Sequence, residues 1–307
     1  MAERIKKKRG GIHISKSLYL MLIPGVLLTL IYAYGPMFGL VIAFKKFSMA
    51  NGILGSEWVG LDNFVYLFKY YPNFTQIIAN TVIIAVLKMI FNFFVPVIVA
   101  LMLNELSSNK FRRGIQTIVY LPHFISWVVI AGILIVALHP TDGIINNILK
   151  SFGVDPIYFL GNNKTFRPVL VISDVWKNFG YGTIIYMAAL TGIDPTLYEE
   201  ATIDRANRLQ KMWHITLPGI LPIIVLVTTL NMGGILNAGF DQIFAISNYL
   251  VVSVADIIDT YVYRIGMEDR KFSEATAAGL FQSAIGMALV IITNCVAKKI
   301  DPESGIM

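Results

Sequence analysis

The sequence has one cysteine, Cys295, so no disulfide can form within the chain and no Cys/His pair has metal-ligand spacing. Charge is scarce as well: Asp, Glu, Lys and Arg make up 14% of residues while 56% are hydrophobic, and the mean hydropathy is +0.66. A soluble domain is excluded by that balance, and the chain needs a bilayer as solvent. No G-x-x-x-x-G-K-[ST] phosphate loop is present, so the chain is not an ATP-hydrolysing motor. There is no fixed-period or low-complexity repeat. The net charge of +6 does not point to nucleic acid, because the basic residues sit in short clusters beside apolar runs, which is how membrane proteins set their orientation.

What the sequence does have is long apolar runs. A membrane-crossing helix takes about 20 mostly apolar residues, and six segments qualify: 18–44, 76–103, 114–138, 166–190, 217–240 and 273–297. The fold class expected is an all-α integral membrane protein. A basic tail, 1–17, precedes the transmembrane domain 18–297, and a short tail, 298–307, follows it. The first run follows Lys6, Lys7, Lys8 and Arg9 like a secretory signal. It continues through Pro36 to Phe44 with no cleavage site, and so reads as a retained anchor. Pro24 and Pro36 predict a kink there.

Basic clusters at the N-terminus, at Lys110, Arg112 and Arg113, at Arg205, Arg208 and Lys211, and at Lys298 and Lys299 fall on one side of this topology. The longer, sparser loops fall on the other, which predicts both termini inside. Trp58, Phe64, Tyr66, Phe68, Tyr70 and Tyr71 after the first span, and Ile257, Ile258, Tyr261 and Val262 before the last, read as amphipathic helices on the outer surface. Ala275, Gly279 and Ser283 form a small-residue stripe suited to close helix packing.

The same topology assigns the loop 191–216 to the cytoplasm. Asp194 followed by Pro195 is a helix start, since the carboxylate accepts from free N–H groups and proline loses no bond at the first position. A helix through Leu197 to Ala201 follows, then a break near 204–207, then a second stretch, Arg208 to Ile215. A short helix between two spans is a handle by which a soluble partner can move both.

The residues Tyr198-Glu199-Glu200-Ala201-Thr202-Ile203-Asp204-Arg205-Ala206, with Ile215, Leu217 and Pro218 beyond, resemble the E-A-A signature of binding-protein-dependent ABC importer permeases. Glu200 replaces one alanine of that signature, and Arg205 stands where the family has a glycine. Glycine serves where dihedrals are unusual, so Arg205 predicts either a different bend or a contact with a partner. The segments Tyr34-Gly35-Pro36-Met37-Phe38-Gly39, Val59-Gly60-Leu61-Asp62-Asn63-Phe64 and Leu121-Pro122-His123-Phe124-Ile125-Ser126-Trp127 resemble the carbohydrate branch, especially permeases for oligosaccharides from complex polysaccharides.

The resemblance implies a type I permease bundle in the bacterial cytoplasmic membrane, working by alternating access. It also implies a second, sibling permease, two ATPase subunits that bind ATP and Mg, and an external solute-binding protein. No cofactor belongs to this chain. Glu199, Glu200, Ala201, Asp204, Arg205, Ala206, Leu217 and Pro218 would then form the ATPase-coupling surface.

Charges at bilayer depth are costly and mark function. Lys88 with Asn92 at i+4, and Asp174 with Lys177 at i+3, Asn178 and Tyr181, read either as the polar wall of a sugar pathway or as charges neutralised near an interface. Asn231 and Asn237 on the fifth span read either as further lining of that pathway or, the favoured reading, as hydrogen bonds between helices. Asp174 and Lys177 are placed to pair. Two lysines facing a cavity would suit an acidic oligosaccharide. The alternative is an ion-coupled secondary transporter, which needs a free intramembrane carboxylate. An intramembrane enzyme is disfavoured, because His13, His123, His139 and His214 have no partner set of catalytic or metal-binding type.

Overall fold

A computed structural model describes residues 16–232 and 234–300; most of the basic N-terminal tail and the end of the C-terminal tail lie outside the described residues. Helix α1 (Lys16–Thr29) runs on through a π-helical turn at Leu30–Tyr34 and a 3-10 stretch at Gly35–Phe44, giving an apolar rod over Tyr19–Phe44. Pro36 opens the 3-10 stretch, so the predicted kink is a change of winding. This rod is hardly buried, unlike the other long helices. At its end β1 (Lys45–Lys46) pairs antiparallel with β2 (Glu57–Trp58).

The body of the bundle is α2 (Phe74–Asn104), α3 (Asn109–Tyr120), α4 (Trp127–Ala137), α5 (Ile144–Ser151), α6 (Asn163–Leu190), α7 (Pro195–Ile203), α8 (Arg208–Met232), α9 (Phe240–Ile246), α10 (Ile258–Tyr263) and α11 (Phe272–Ile300). Among the described residues four helices, α1 with its extension, α2, α8 and α11, are long and apolar enough to cross a membrane. The 28-residue α6 is long enough, about 42 Å at 1.5 Å per residue, but Asp174, Lys177 and Asn178 sit at its middle.

Two of the expected spans are broken. The third, 114–138, is α3 and α4 set at 99° to one another across a 3-10 turn at Leu121–Phe124. Pro122 cannot extend a helix from within, and the Ser126 hydroxyl accepts from Val129 N at 3.4 Å to start a new one. The fifth, 217–240, ends at Met232. Residues 234–239 form a turn and a non-helical stretch, and α9 begins at Phe240 after Gly239, whose φ of +98° lies in the left-handed region. Asn231 is therefore helical, and Asn237 sits in the break. At its other end the fifth span begins earlier than expected, because Arg208 to Thr216 joins it through a π-helical turn.

Core contacts fall into three clusters. Ile84, Ala131, Phe166, Leu170 and Ile243 join α2, α4, α6 and α9. Phe74, Ile77, Tyr261 and Ala278 join α2, α10 and α11. Val97, Tyr186, Leu190, Ile220 and Ile224 join α2, α6 and α8 close to the loop 191–216. Ile257, Ile258 and Tyr261 are fully buried in these clusters. The segment 257–262 is thus core and not a surface helix, because Ile258 N donates to Thr81 Oγ1 and draws it onto α2. The aromatic segment after α1 does lie on the bundle, Phe68 meeting Phe281 edge to face at 5.1 Å. On α11 the packed small residues are Ala275, Ala277 and Ala278; the stripe drifts outward, and a Cβ at Gly279 would meet nothing within 4 Å.

Candidate functional site

Between the first and third clusters lies a cavity of about 390 Å³, within the usual size of ligand sites. Its walls are α2, α6, α8 and the break before α9. Lys88, Asn92, Asp174, Asn178, Tyr181, Asn231 and Asn237 all border it, with Thr228 and Tyr186 as further polar groups that the sequence had not singled out. Their spacing explains the convergence: Asp174, Asn178 and Tyr181 follow one another at helical intervals on α6, opposite Lys88 and Asn92 on α2. Lys177, the remaining pathway candidate, does not line the cavity.

Asp174 pairs with Lys88 across the two helices, Nζ to Oδ1 3.2 Å, and not with Lys177. Asn92 Nδ2 donates to the other carboxylate oxygen at 2.7 Å. The i+3 spacing brings Lys177 near Asp174, but the lysine turns to the bend between α3 and α4. There Nζ donates to His123 O and Ile125 O, each at 2.6 Å, and to Pro122 O at 3.4 Å. The ammonium also lies 5.6 Å from the Trp127 ring centroid. Beside it the His123 ring stacks on Tyr181, centroids 4.2 Å apart, and His123 Nδ1 is 3.2 Å from Asn178 Oδ1.

Lys88 makes two further bonds, to Ala238 O at 2.8 Å and to Gln242 Oε1. Gln242 in turn donates to Leu170 O at 2.9 Å and Ser173 Oγ at 2.8 Å. Sequence reasoning missed Gln242, because a lone glutamine in a short apolar helix carries no signal until its neighbours are known. Gly239 had a readable reason: a Cβ there would stand 2.5 Å from Lys88 Nζ.

The second candidate surface is the loop 191–216. Asp194 caps α7 by accepting from Thr196 N at 2.9 Å, which holds its carboxyl below the ordinary pKa of 3.8. After Asp204 the helix closes in a Schellman motif, with Ala206 N donating to Ala201 O at 2.9 Å and Arg205 N to Thr202 O at 3.1 Å. Arg205 has φ of +57°. The turn expected of the family's glycine is therefore retained, with an arginine carrying its left-handed dihedral. Asn207 and Gln210 then form a capping box that starts α8. Tyr198 OH lies 2.9 Å from Thr216 Oγ1, and Lys211 Nζ donates to Thr202 Oγ1 at 2.6 Å, so α7 is folded back against the start of α8. Glu199, Glu200, Asp204, Arg205 and Pro218 are exposed, while Ala201, Ala206 and Leu217 are half-buried. No residue of α7 is fully buried, and Ile203, Leu209 and Trp213 leave apolar surface open beside the acids.

The family model for the binding-protein-dependent transport system inner membrane component matches residues 94–304. This chain belongs to that family. It is an integral membrane permease of the ABC importer type. It is 43% identical over 300 residues to the polygalacturonan/rhamnogalacturonan transport system permease protein YteP of Bacillus subtilis (strain 168), covering 97% of this chain and 93% of the relative. Similarity to Protein LplB of the same organism is 44% identity over 94% of this chain and 90% of that one. The fold matches a chain in the crystal structure of a bacterial ABC transporter involved in the import of the acidic polysaccharide alginate, with a TM-score of 0.86 and 40% identity, covering 93% of this chain and 96% of that one. The alginate transporter bound to a periplasmic protein carrying an alginate pentasaccharide matches equally well, at 0.86 and 39% identity over 92% and 94% of the two chains.

Proposed function

We propose that this chain is the permease subunit that passes an oligosaccharide from an acidic polysaccharide across the bacterial cytoplasmic membrane by alternating access, with both termini inside. It pairs with a sibling permease, two cytosolic ATPase subunits that bind ATP and Mg, and an external solute-binding protein. The loop 191–216 faces the cytoplasm and docks on an ATPase through Glu199, Glu200, Ala201, Asp204, Arg205, Ala206, Leu217 and Pro218. ATP is hydrolysed by the partner, and this chain contributes no catalytic group or cofactor.

One observation carries this reading: the two helices that flank the loop, α6 and α8, are also two walls of the polar cavity. A partner that moves the loop therefore moves the cavity. Asn92, Asn178, Tyr181, Asn231 and Asn237 supply amide and phenol groups suited to sugar hydroxyls, and the names of the relatives support the acidic polysaccharide class. The ion-coupled alternative finds no support, since the Asp174 carboxylate is committed to Lys88 and Asn92.

The test is reconstitution of the full importer with binding protein loaded with galacturonate, rhamnogalacturonate, alginate or neutral glucan fragments. Stimulation of ATP hydrolysis by an acidic fragment is expected. Uptake driven by an ion gradient in vesicles without the ATPase would overturn the reading.

A further inference from the structure

A helix broken at membrane depth frees backbone carbonyls, and these are tolerated only where the protein supplies partners or the break lines a water-filled cavity. This chain breaks two spans. The 121–126 bend lies beside Lys177, midway along α6, and the 234–239 break lies beside Lys88, midway along α2. An ammonium carries three N–H donors and no acceptor. Lys177 spends its three on Pro122 O, His123 O and Ile125 O, the carbonyls of the bend. Lys88 spends its three on Ala238 O of the break, on Gln242 Oε1 of the helix that follows, and on Asp174. Both lysines are buried, and neither keeps a donor for a ligand.

From this count we infer that Lys88 and Lys177 are positioning residues, each the staple of one broken span beside the cavity, and that neither reads the charge of the passing solute. The solute half of the inference rests on the oligosaccharide reading above; the staple half does not. The expectation that these lysines select an acidic sugar is thereby replaced. Lys88 is neutralised by Asp174, Lys177 lies behind the wall formed by Asn178 and Tyr181, and the cavity meets sugar through uncharged groups. Preference for a carboxylate-bearing substrate then belongs to the binding protein or the sibling subunit.

The staples are tested by amide hydrogen exchange on the complete importer in nanodiscs, following peptides that cover 121–130 and 234–243. Lys177→Met is expected to speed exchange about tenfold over 121–130 alone, and Lys88→Met over 234–243 alone. Lys177→Arg, which keeps the cation, restores protection at the bend. Should Lys88→Met fail to assemble because Asp174 is left unpaired, Lys88→Met with Asp174→Asn gives the same readout. Exchange unchanged at a lysine's own break, or rising at both breaks together, overturns the assignment.

Charge reading is tested by equilibrium dialysis of trigalacturonate and its methyl ester against the solubilised permease–ATPase assembly. The acid-to-ester affinity ratio is expected to stay within about threefold between wild type and Lys177→Met and across a range of salt, because among the described residues no unpaired cation faces the cavity. A ratio that falls about tenfold in the variant overturns that half. If wild type binds neither probe, the oligosaccharide reading fails, while the exchange data still decide the staples.

Discussion

Gly239→Ala measures the junction between the fifth-span break and Lys88. The new methyl group faces two costs of different kind. Gly239 has φ of +98° and ψ of +66°, a region where a Cβ costs about 1–2 kcal/mol. The Cβ would also stand 2.5 Å from Lys88 Nζ. The ammonium ends a flexible chain and can retreat, but retreat breaks a bond to Ala238 O or Asp174, about 1.5–3 kcal/mol for a hydrogen bond to a charged group. Together these predict a loss of about 2.5–5 kcal/mol. In a Lys88→Met background the ammonium is gone and the stem remains, so the same glycine substitution should cost only the dihedral strain, about 1–2 kcal/mol. The coupling energy of the double-mutant cycle is therefore about 2 kcal/mol. It is read from equilibrium unfolding of the four proteins in mixed dodecylmaltoside–SDS micelles by circular dichroism. Coupling below about 0.5 kcal/mol, the level of independent sites, would refute the contact between Lys88 and the break.

Gly180→Ala should be worse than ordinary overpacking, which costs about 1–3 kcal/mol, because its Cβ would lie 1.9 Å from Val119 O, a backbone atom that cannot swing away; a marked fall in the thermal midpoint of the purified importer checks it, and an unchanged midpoint contradicts the packing of α3 on α6. Reversing charge at Glu199 and Asp204 is expected to leave membrane insertion intact and to separate ATP hydrolysis from uptake, so normal uptake in the double variant would count against the docking surface. Asp194 has its pKa lowered by the Thr196 N–H, so the support it gives α7 is complete above the unfolded value of 3.8 and fades as pH falls through the still lower folded value. Exchange at Thr196 should accordingly be flat, after correction for intrinsic rates, from about pH 5 to 8, and a step within that window would contradict the cap.

Much of this architecture was legible in hydropathy, and its breaks were not. A window of about 20 residues averages over a proline bend, so 114–138 and 217–240 read as single spans. The signals were there: Pro122 followed by Ser126 is a stop and a new start, and Gly234 and Gly239 punctuate the end of the fifth run. The polar wall was more legible than its wiring. Helical spacing shows that Asp174, Asn178 and Tyr181 share a face, and they do line one cavity. It cannot show which opposing helix delivers a partner, so the i+3 neighbour Lys177 was the natural candidate to pair with Asp174, where the structure has Lys88. Gln242 was invisible for the same reason.

Arg205 shows how a departure from a family pattern can leave the geometry intact. The Schellman closure needs a residue at positive φ after Asp204, and Arg205 adopts it at +57°. An L-residue there carries about 1–2 kcal/mol of strain, while glycine would lose about 0.5–1 kcal/mol more conformational freedom on folding. The net gain from Arg205→Gly therefore lies between about 0 and 1.5 kcal/mol, which should slow exchange of the Ala206 amide up to about tenfold. Arg205→Ala keeps the strain and should slow nothing. The side chain is exposed beside Glu199, Glu200 and Asp204 on the face assigned to the ATPase. If strain alone separates the residues, Arg205→Gly will couple hydrolysis to uptake as well as wild type. If the guanidinium meets an acidic group on the partner, the variant will be more stable and yet less well coupled. Loss of stability in Arg205→Gly would refute the left-handed turn itself.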